Sequence, residues 1–203
     1  MPRVLGLTGN IASGKTTVGH ILLELGAERY IDADAVVHHL YESGQPIAVQ
    51  VAEAFGSRVL APDGSVERKV LGSIVFRDPA AMRRLERIVH PAVGAALMQV
   101  LATVSSTGIA IIDAVKLLEG ASGALCQSKW LVVCPVEHQL ERLMARNHLD
   151  EEEARMRIAA QPSLEEKKQL VDEIIDNSGT LAETRSQVIV AFERFLHHFP
   201  IQK

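Results

Sequence analysis

The 203-residue chain predicts a three-layer α/β fold, a parallel β-sheet with helices on both faces. Three observations predict it. Apolar runs at 4–7, 109–112 and 130–134 lack the alternation of a half-solvated strand, so they read as strands buried on both sides. Helical periodicity fills the segments between such runs. A turn carrying two glycines joins the first apolar run to the first helical pattern.

That turn reads Gly9-Asn10-Ile11-Ala12-Ser13-Gly14-Lys15-Thr16-Thr17 and fits G-x-x-x-x-G-K-[ST], a phosphate-binding loop. Gly9 and Gly14 permit backbone angles that a β-carbon blocks. The loop N–H groups then form an anion nest. Lys15 supplies a point charge for β- and γ-phosphates, and Thr16 a hydroxyl for Mg²⁺. The helix that follows, ended by Gly26, aims its positive end at the same phosphates. A chance match in a chain of this length is expected on the order of one per cent of the time.

The remaining elements follow in order. Glu28 to Ile31 reads as a second strand, with Asp32-Ala33-Asp34 at its carboxyl end, where functional groups collect in open α/β sheets. Ala35 to Tyr41 reads as helix, broken by Ser43-Gly44-Gln45-Pro46, and Ile47 to Phe55 resumes it. Pro62 to Ser65 is a turn, and Val66 to Phe76 a helix. Pro79 opens another helix, which the His90-Pro91 pair interrupts before it continues over Ala92 to Val104. Asp113 closes the strand at 109–112, the usual place for a second Mg²⁺-directed carboxylate. Val136 to Asn147 is helical, a second helix starts at Asp150, and Ser163 with Glu166 offers a capping box for a third. Glu173 to Asp176 is a last short strand before an amphipathic helix over 180–195. The helical stretch between the second and third strands is far longer than a crossover helix and reads as an inserted acceptor-binding part. The expected organisation is a single chain with its core at 1–34, 107–137 and 170–203, a helical insertion at 35–106 and a lid at 138–169.

Composition narrows the function. A net charge of -4, with 23% charged residues, gives no excess of Lys and Arg of the kind a nucleic-acid surface needs. No apolar run approaches the length of a membrane span, and no secretory signal opens the chain, so a cytoplasmic protein is expected. Cys126 and Cys134 read as reduced thiols. His38-His39 and His197-His198 lack partners at metal-ligand spacing. A monomer is favoured.

Phosphoryl transfer needs a donor cradle, positive charge and a group that orients the acceptor. The loop supplies the first. Arg142 and Arg146 share a helix face with no acid between them and, with Arg155 and Arg157, form a candidate lid over the γ-phosphate. Asp32 and Asp34, two apart, point the same way if the segment is extended, and one of them serves as base while the other caps a helix or approaches the metal. Asn177 and Gly179 read as a turn and, second, as a base-contacting loop.

The sequence resembles the dephospho-CoA kinase family over almost its whole length. The resemblance rests on GLTGNIASGKTT, IDAD, GSVERKVLGSIVF, the His90-Pro91 pair, DAVKLLE at 113–119, QLERLMAR at 139–146, RIAAQ at 157–161 and IIDNSG at 174–179. It implies a P-loop kinase fold and ATP-dependent phosphorylation of the ribose 3′-hydroxyl of dephospho-CoA, with Mg²⁺. It implies Asp34 as the base, Asp32 in support of the metal site, Lys15 and Arg146 on the transferring charge, and Thr16 on Mg²⁺. Arg68, His90 and Asp113 would surround the acceptor. Arg142 would join the ATP site, and Asn177 and Gly179 would line its adenine pocket. Two departures stand out. The family loop usually reads G-G-I-G-S-G-K, and Asn10 and Ala12 replace two of its glycines; Asn10 is the residue expected at positive φ, and Ala12 is expected at negative φ. The family's D-x-P-L-L-F-E becomes Asp113-Ala114-Val115-Lys116-Leu117-Leu118-Glu119, which makes Lys116 a candidate ligand for an acceptor phosphate. Another nucleoside or nucleotide kinase of the same fold is the nearest alternative. A GTPase switch would need an N-K-x-D segment, which the chain lacks.

Overall fold

The computed structural model describes residues 1–201. Among these, five strands form one parallel sheet: β1 (Arg3–Thr8), β2 (Arg29–Asp32), β3 (Ile109–Asp113), β4 (Ser128–Val133) and β5 (Glu173–Asp176), in the order β2-β3-β1-β4-β5. The helices are α1 (Lys15–Glu24), α2 (Ala33–Leu40), α3 (Pro46–Phe55), α4 (Arg68–Val75), α5 (Pro79–Leu101), α6 (Ala121–Ala124), α7 (Val136–Asn147), α8 (Glu151–Ala159), α9 (Leu164–Lys168) and α10 (Leu181–His198). The chain divides into two compact units, residues 1–32 with 101–203, and residues 33–100.

The first unit holds the sheet. β3 buries every side chain and β1 all but Arg3, as their unbroken apolar runs require. Leu5, Leu7, Trp130, Val132 and Ile175 of the sheet pack against Val18, Ile21 and Leu22 of α1 and Val188, Phe192 and Phe195 of α10. Trp130, wholly buried, has its indole N–H satisfied by Ser128 Oγ at 3.1 Å. The register decides what gathers at the carboxyl edge. Leu7 pairs with Asp113 and Asp32 pairs with Asp113, so both carboxylates lie level with the end of β1, where the phosphate loop begins. Thr180 and Glu183 form a capping box that starts α10. The box expected at Ser163 does not form: α9 is one short turn and Ser163 makes no side-chain cap.

The second unit is helical. The helix expected from Val66 starts later, because Val66 N–H donates to Tyr41 O and Glu67 N–H to Val59 O, which keeps both residues extended. Pro91 does not interrupt α5. The stripe Val89, Val93, Leu97, Leu101 is buried at a constant spacing of four on both sides of it, and burial of that stripe outweighs one missing N–H donor.

Burial at Cys126 gives a pH-dependence. Its thiol donates to Ser122 O at 3.3 Å, and desolvation pushes its pKa up to about 12 from an ordinary 9.0, with the Lys129 charge opposing. A raised folded-state pKa means that stability is complete below the unfolded value and declines as pH rises toward the folded value. Cys134, Tyr30 and Tyr41, all raised chiefly by burial, act in the same sense; Lys167, lowered, acts in the opposite sense. The urea midpoint is therefore expected to fall between about pH 8 and pH 10.5, with Cys126 contributing about 2 kcal/mol of the loss. Cys126→Ala should shrink that fall, and an unchanged fall would refute the assignment.

Candidate active site

The phosphate loop is held from outside by its carbonyls. Arg142 Nη1 donates to Ala12 O and Ser13 O, both at 3.4 Å. Asn177 Nδ2 donates to Ser13 O at 2.9 Å, and Asn177 Oδ1 accepts from Thr184 Oγ1 at 3.0 Å. Arg142 Nη2 closes the circuit on Asn177 O at 3.4 Å. The Ala12 and Ser13 carbonyls are thus held by donors from outside the loop, while Ser13 N–H is taken within it by Asn10 O at 3.2 Å. Gly14, at φ +99°, is the N-cap of α1 and touches the Asn177 amide where a β-carbon would stand, so no other residue fits. Lys15 Nζ donates to Gly9 O at 3.1 Å across the loop and keeps two further N–H donors for phosphate oxygens.

The two replaced glycines behave opposite to expectation. Ala12 takes φ +58°, whereas Asn10 is not among the residues at positive φ. Asn10 is instead a tether: its Nδ2 donates to Pro162 O at 3.3 Å, and its Oδ1 accepts from Lys167 Nζ at 3.2 Å. Ile11 N–H reaches Gln161 Oε1 at 3.3 Å. Left-handed backbone falls to Ala12, whose carbonyl the Arg142 guanidinium holds, at a local cost of about 1–2 kcal/mol.

Two residues that motif reading passed over join the loop. Lys167 is 2% exposed and donates to Val115 O at 2.9 Å as well as to Asn10. Burial lowers its pKa; the Glu119 carboxylate counters that, and the Lys15 charge adds to it. Thr8 Oγ1 shares the Val115 carbonyl at 3.1 Å. Lys167 thus ties the phosphate loop to the turn after β3. It lies in the run Glu165-Glu166-Lys167-Lys168, where nothing separates it from a solvated face. Tyr30 is the second. Its hydroxyl donates to Asp113 Oδ2. Burial first, and then the Asp113 charge, raise its pKa above the ordinary 10.0.

The other expected site residues are placed as follows. Asp32 closes β2, but the helix begins at Ala33, so Asp34 sits in the first turn of α2 and the two do not share one extended face. Asp34, Arg68 and His90 belong to the unit of residues 33–100. Lys116 is exposed on the turn after β3, and Gly179 is exposed in the turn before α10. Arg146 is exposed and donates to Asn147 Oδ1 at 2.9 Å. Arg155 and Arg157 do not form a free cationic cluster: each pairs with an acid one turn earlier on α8, Glu151 at 2.7 Å and Glu153 at 2.6 Å.

Comparison with known proteins turns this geometry into a family. A family model described as dephospho-CoA kinase matches residues 3–183. The chain belongs to the dephospho-CoA kinase family. A dephospho-CoA kinase of Symbiobacterium thermophilum is 46% identical over 192 residues, covering 94% of this chain and 80% of the relative. A solved protein of Thermus thermophilus, TT1252, superposes with a TM-score of 0.80 at 30% identity, over 96% of this chain and 98% of that one. A dephospho-CoA kinase of Campylobacter jejuni gives 0.56 at 26% identity, over 95% and 97%. As a dephospho-CoA kinase family member the chain is a phosphotransferase enzyme of P-loop fold, and ATP use follows from the family. Among the described residues, no helix is long and apolar enough to cross a membrane.

Proposed function

We propose that the protein transfers the γ-phosphoryl group of ATP to the ribose 3′-hydroxyl of dephospho-CoA, the closing step of coenzyme A synthesis. The observation that carries this reading is a phosphate loop complete in Gly9, Gly14, Lys15 and Thr16 inside a chain that matches the family from residue 3 to residue 183. The loop N–H groups and Lys15 bind the donor phosphates, with Arg142 keeping the loop open to them. We assign the acceptor's proton to Asp34 and the acceptor itself to Arg68, His90, Asp113 and Lys116. Arg146 is assigned to the transferring charge, and Gly179 and Asn177 to the adenine end, where Asn177 also braces the loop.

A magnesium ion suits the donor set. Thr16 hydroxyl and Asp113 carboxylate are hard oxygens at one sheet edge, Asp32 stands in register beside them, and Mg²⁺ takes one or two such ligands together with phosphate and water. Bound there, Mg²⁺ would neutralise charge on the β- and γ-phosphates. The protein's own part is to keep Asp113 fixed. We place the reaction in the cytoplasm.

The test is ATP turnover with dephospho-CoA against adenosine, nucleosides and nucleoside monophosphates. Turnover with dephospho-CoA at a kcat/KM at least 10²-fold above the others is expected, and Lys116→Ala should raise the KM for dephospho-CoA without lowering kcat. Preference for a nucleoside would replace this reading.

A further inference from the structure

Tyr30 is the one phenol at the carboxyl edge of the sheet, and nothing in phosphoryl transfer requires it. It lies against α1 at Gly19, where a β-carbon would stand 2.7 Å from ring atom Cδ2 and closer still to Cε2. A glycine in the interior of a helix is unfavourable by up to about 1 kcal/mol against alanine, so the bare position at Gly19 is kept at a cost, and what it admits is the Tyr30 ring. The His20 ring borders the same phenol at 6.4 Å between centroids. With the ring so fixed, the hydroxyl donates to Asp113 Oδ2.

A carboxylate that binds a cation must hold its oxygens in one orientation. A phenol has one donor, and given to one carboxylate oxygen it fixes that orientation while leaving the remaining lone pairs for a cation. We propose that Tyr30 is a positioning residue for the metal site: its hydroxyl, donating to Asp113 Oδ2, fixes the Asp113 carboxylate, with Gly19 as the seat of the ring. Partners that orient a metal's ligands in this way are worth 10–100-fold in metal affinity. The inference rests on the reading of the loop as a Mg²⁺·ATP site.

The test is calorimetric binding of an ATP analogue with a non-hydrolysable β–γ bridge, measured with Mg²⁺ and with a chelator, for the wild type and Tyr30→Phe. The ring and its packing remain in Tyr30→Phe; only the hydroxyl is lost. The wild type should bind more tightly with Mg²⁺. In Tyr30→Phe that Mg²⁺-dependent gain should shrink roughly tenfold, while affinity in chelator stays within about twofold. Gly19→Ala, which displaces the ring, should give the same loss, and the double variant no further loss. An equal Mg²⁺ gain in Tyr30→Phe overturns the proposal, as does an equal weakening with and without metal, which would mark a general disturbance of the loop. A wild type with no Mg²⁺-dependent gain removes instead the reading on which it rests.

Discussion

Asp34→Asn is expected to lower kcat by roughly 10²–10⁴-fold while leaving ATP affinity near that of the wild type. The substitution keeps the shape of the side chain and removes its charge, and with it its capacity to take a proton. Asp34 is exposed in the first turn of α2, so its structural contribution is limited to a favourable charge at a helix start, about 0.3–1 kcal/mol. A loss of several orders of magnitude in rate with an almost unchanged unfolding transition therefore separates a chemical role from a structural one. Steady-state kinetics with dephospho-CoA saturating, together with a thermal melt, measure both. Near-normal kcat would transfer the assignment to Asp32, which stands in register with Asp113 at the edge of the sheet.

Lys15→Ala should reduce kcat by roughly 10²–10³-fold and weaken ATP binding, because it removes a preorganised cation from the place where phosphate charge develops. The fold should survive it. Lys15 is half-buried and its bond to Gly9 O is one of several that order the loop, alongside those of Arg142 and Asn177. Nucleotide binding by calorimetry and a melt of the free protein check the two halves of the expectation. Unaffected catalysis would rule out the loop as the donor site.

The parts of the molecule that were legible in the sequence are those encoded locally. The strands at 3–8, 109–113 and 128–133 show as apolar runs because nearly all of their side chains are buried. The loop shows because its glycines and Lys15 are required at fixed offsets. Elements decided by distant partners were less legible. Pro91 looks like a break, and only the buried stripe from Val89 to Leu101 shows why α5 passes through it. Lys167 carries no mark in its charged run, since its burial depends on Asn10 and Val115, 157 and 52 residues away. Tyr30 looks like an ordinary strand aromatic until Gly19, Thr16 and Asp113 are brought around it. The exchange of roles between Asn10 and Ala12 has the same origin: propensity favours Asn for the left-handed turn, but Pro162 and Lys167 claim its side chain.

Ala12 has a consequence for how ordering is divided between folding and binding. A loop with glycine at this position samples many conformations in the unfolded chain and in the free enzyme, and nucleotide must select one of them. Alanine removes much of that freedom before the chain folds. Once folded, Arg142 and Cys134 on the Ala12 carbonyl hold the left-handed turn that alanine by itself resists. The entropy lost in arranging the cradle is therefore lost largely during folding, and an arriving nucleotide meets a rigid receptor that asks little further ordering of it.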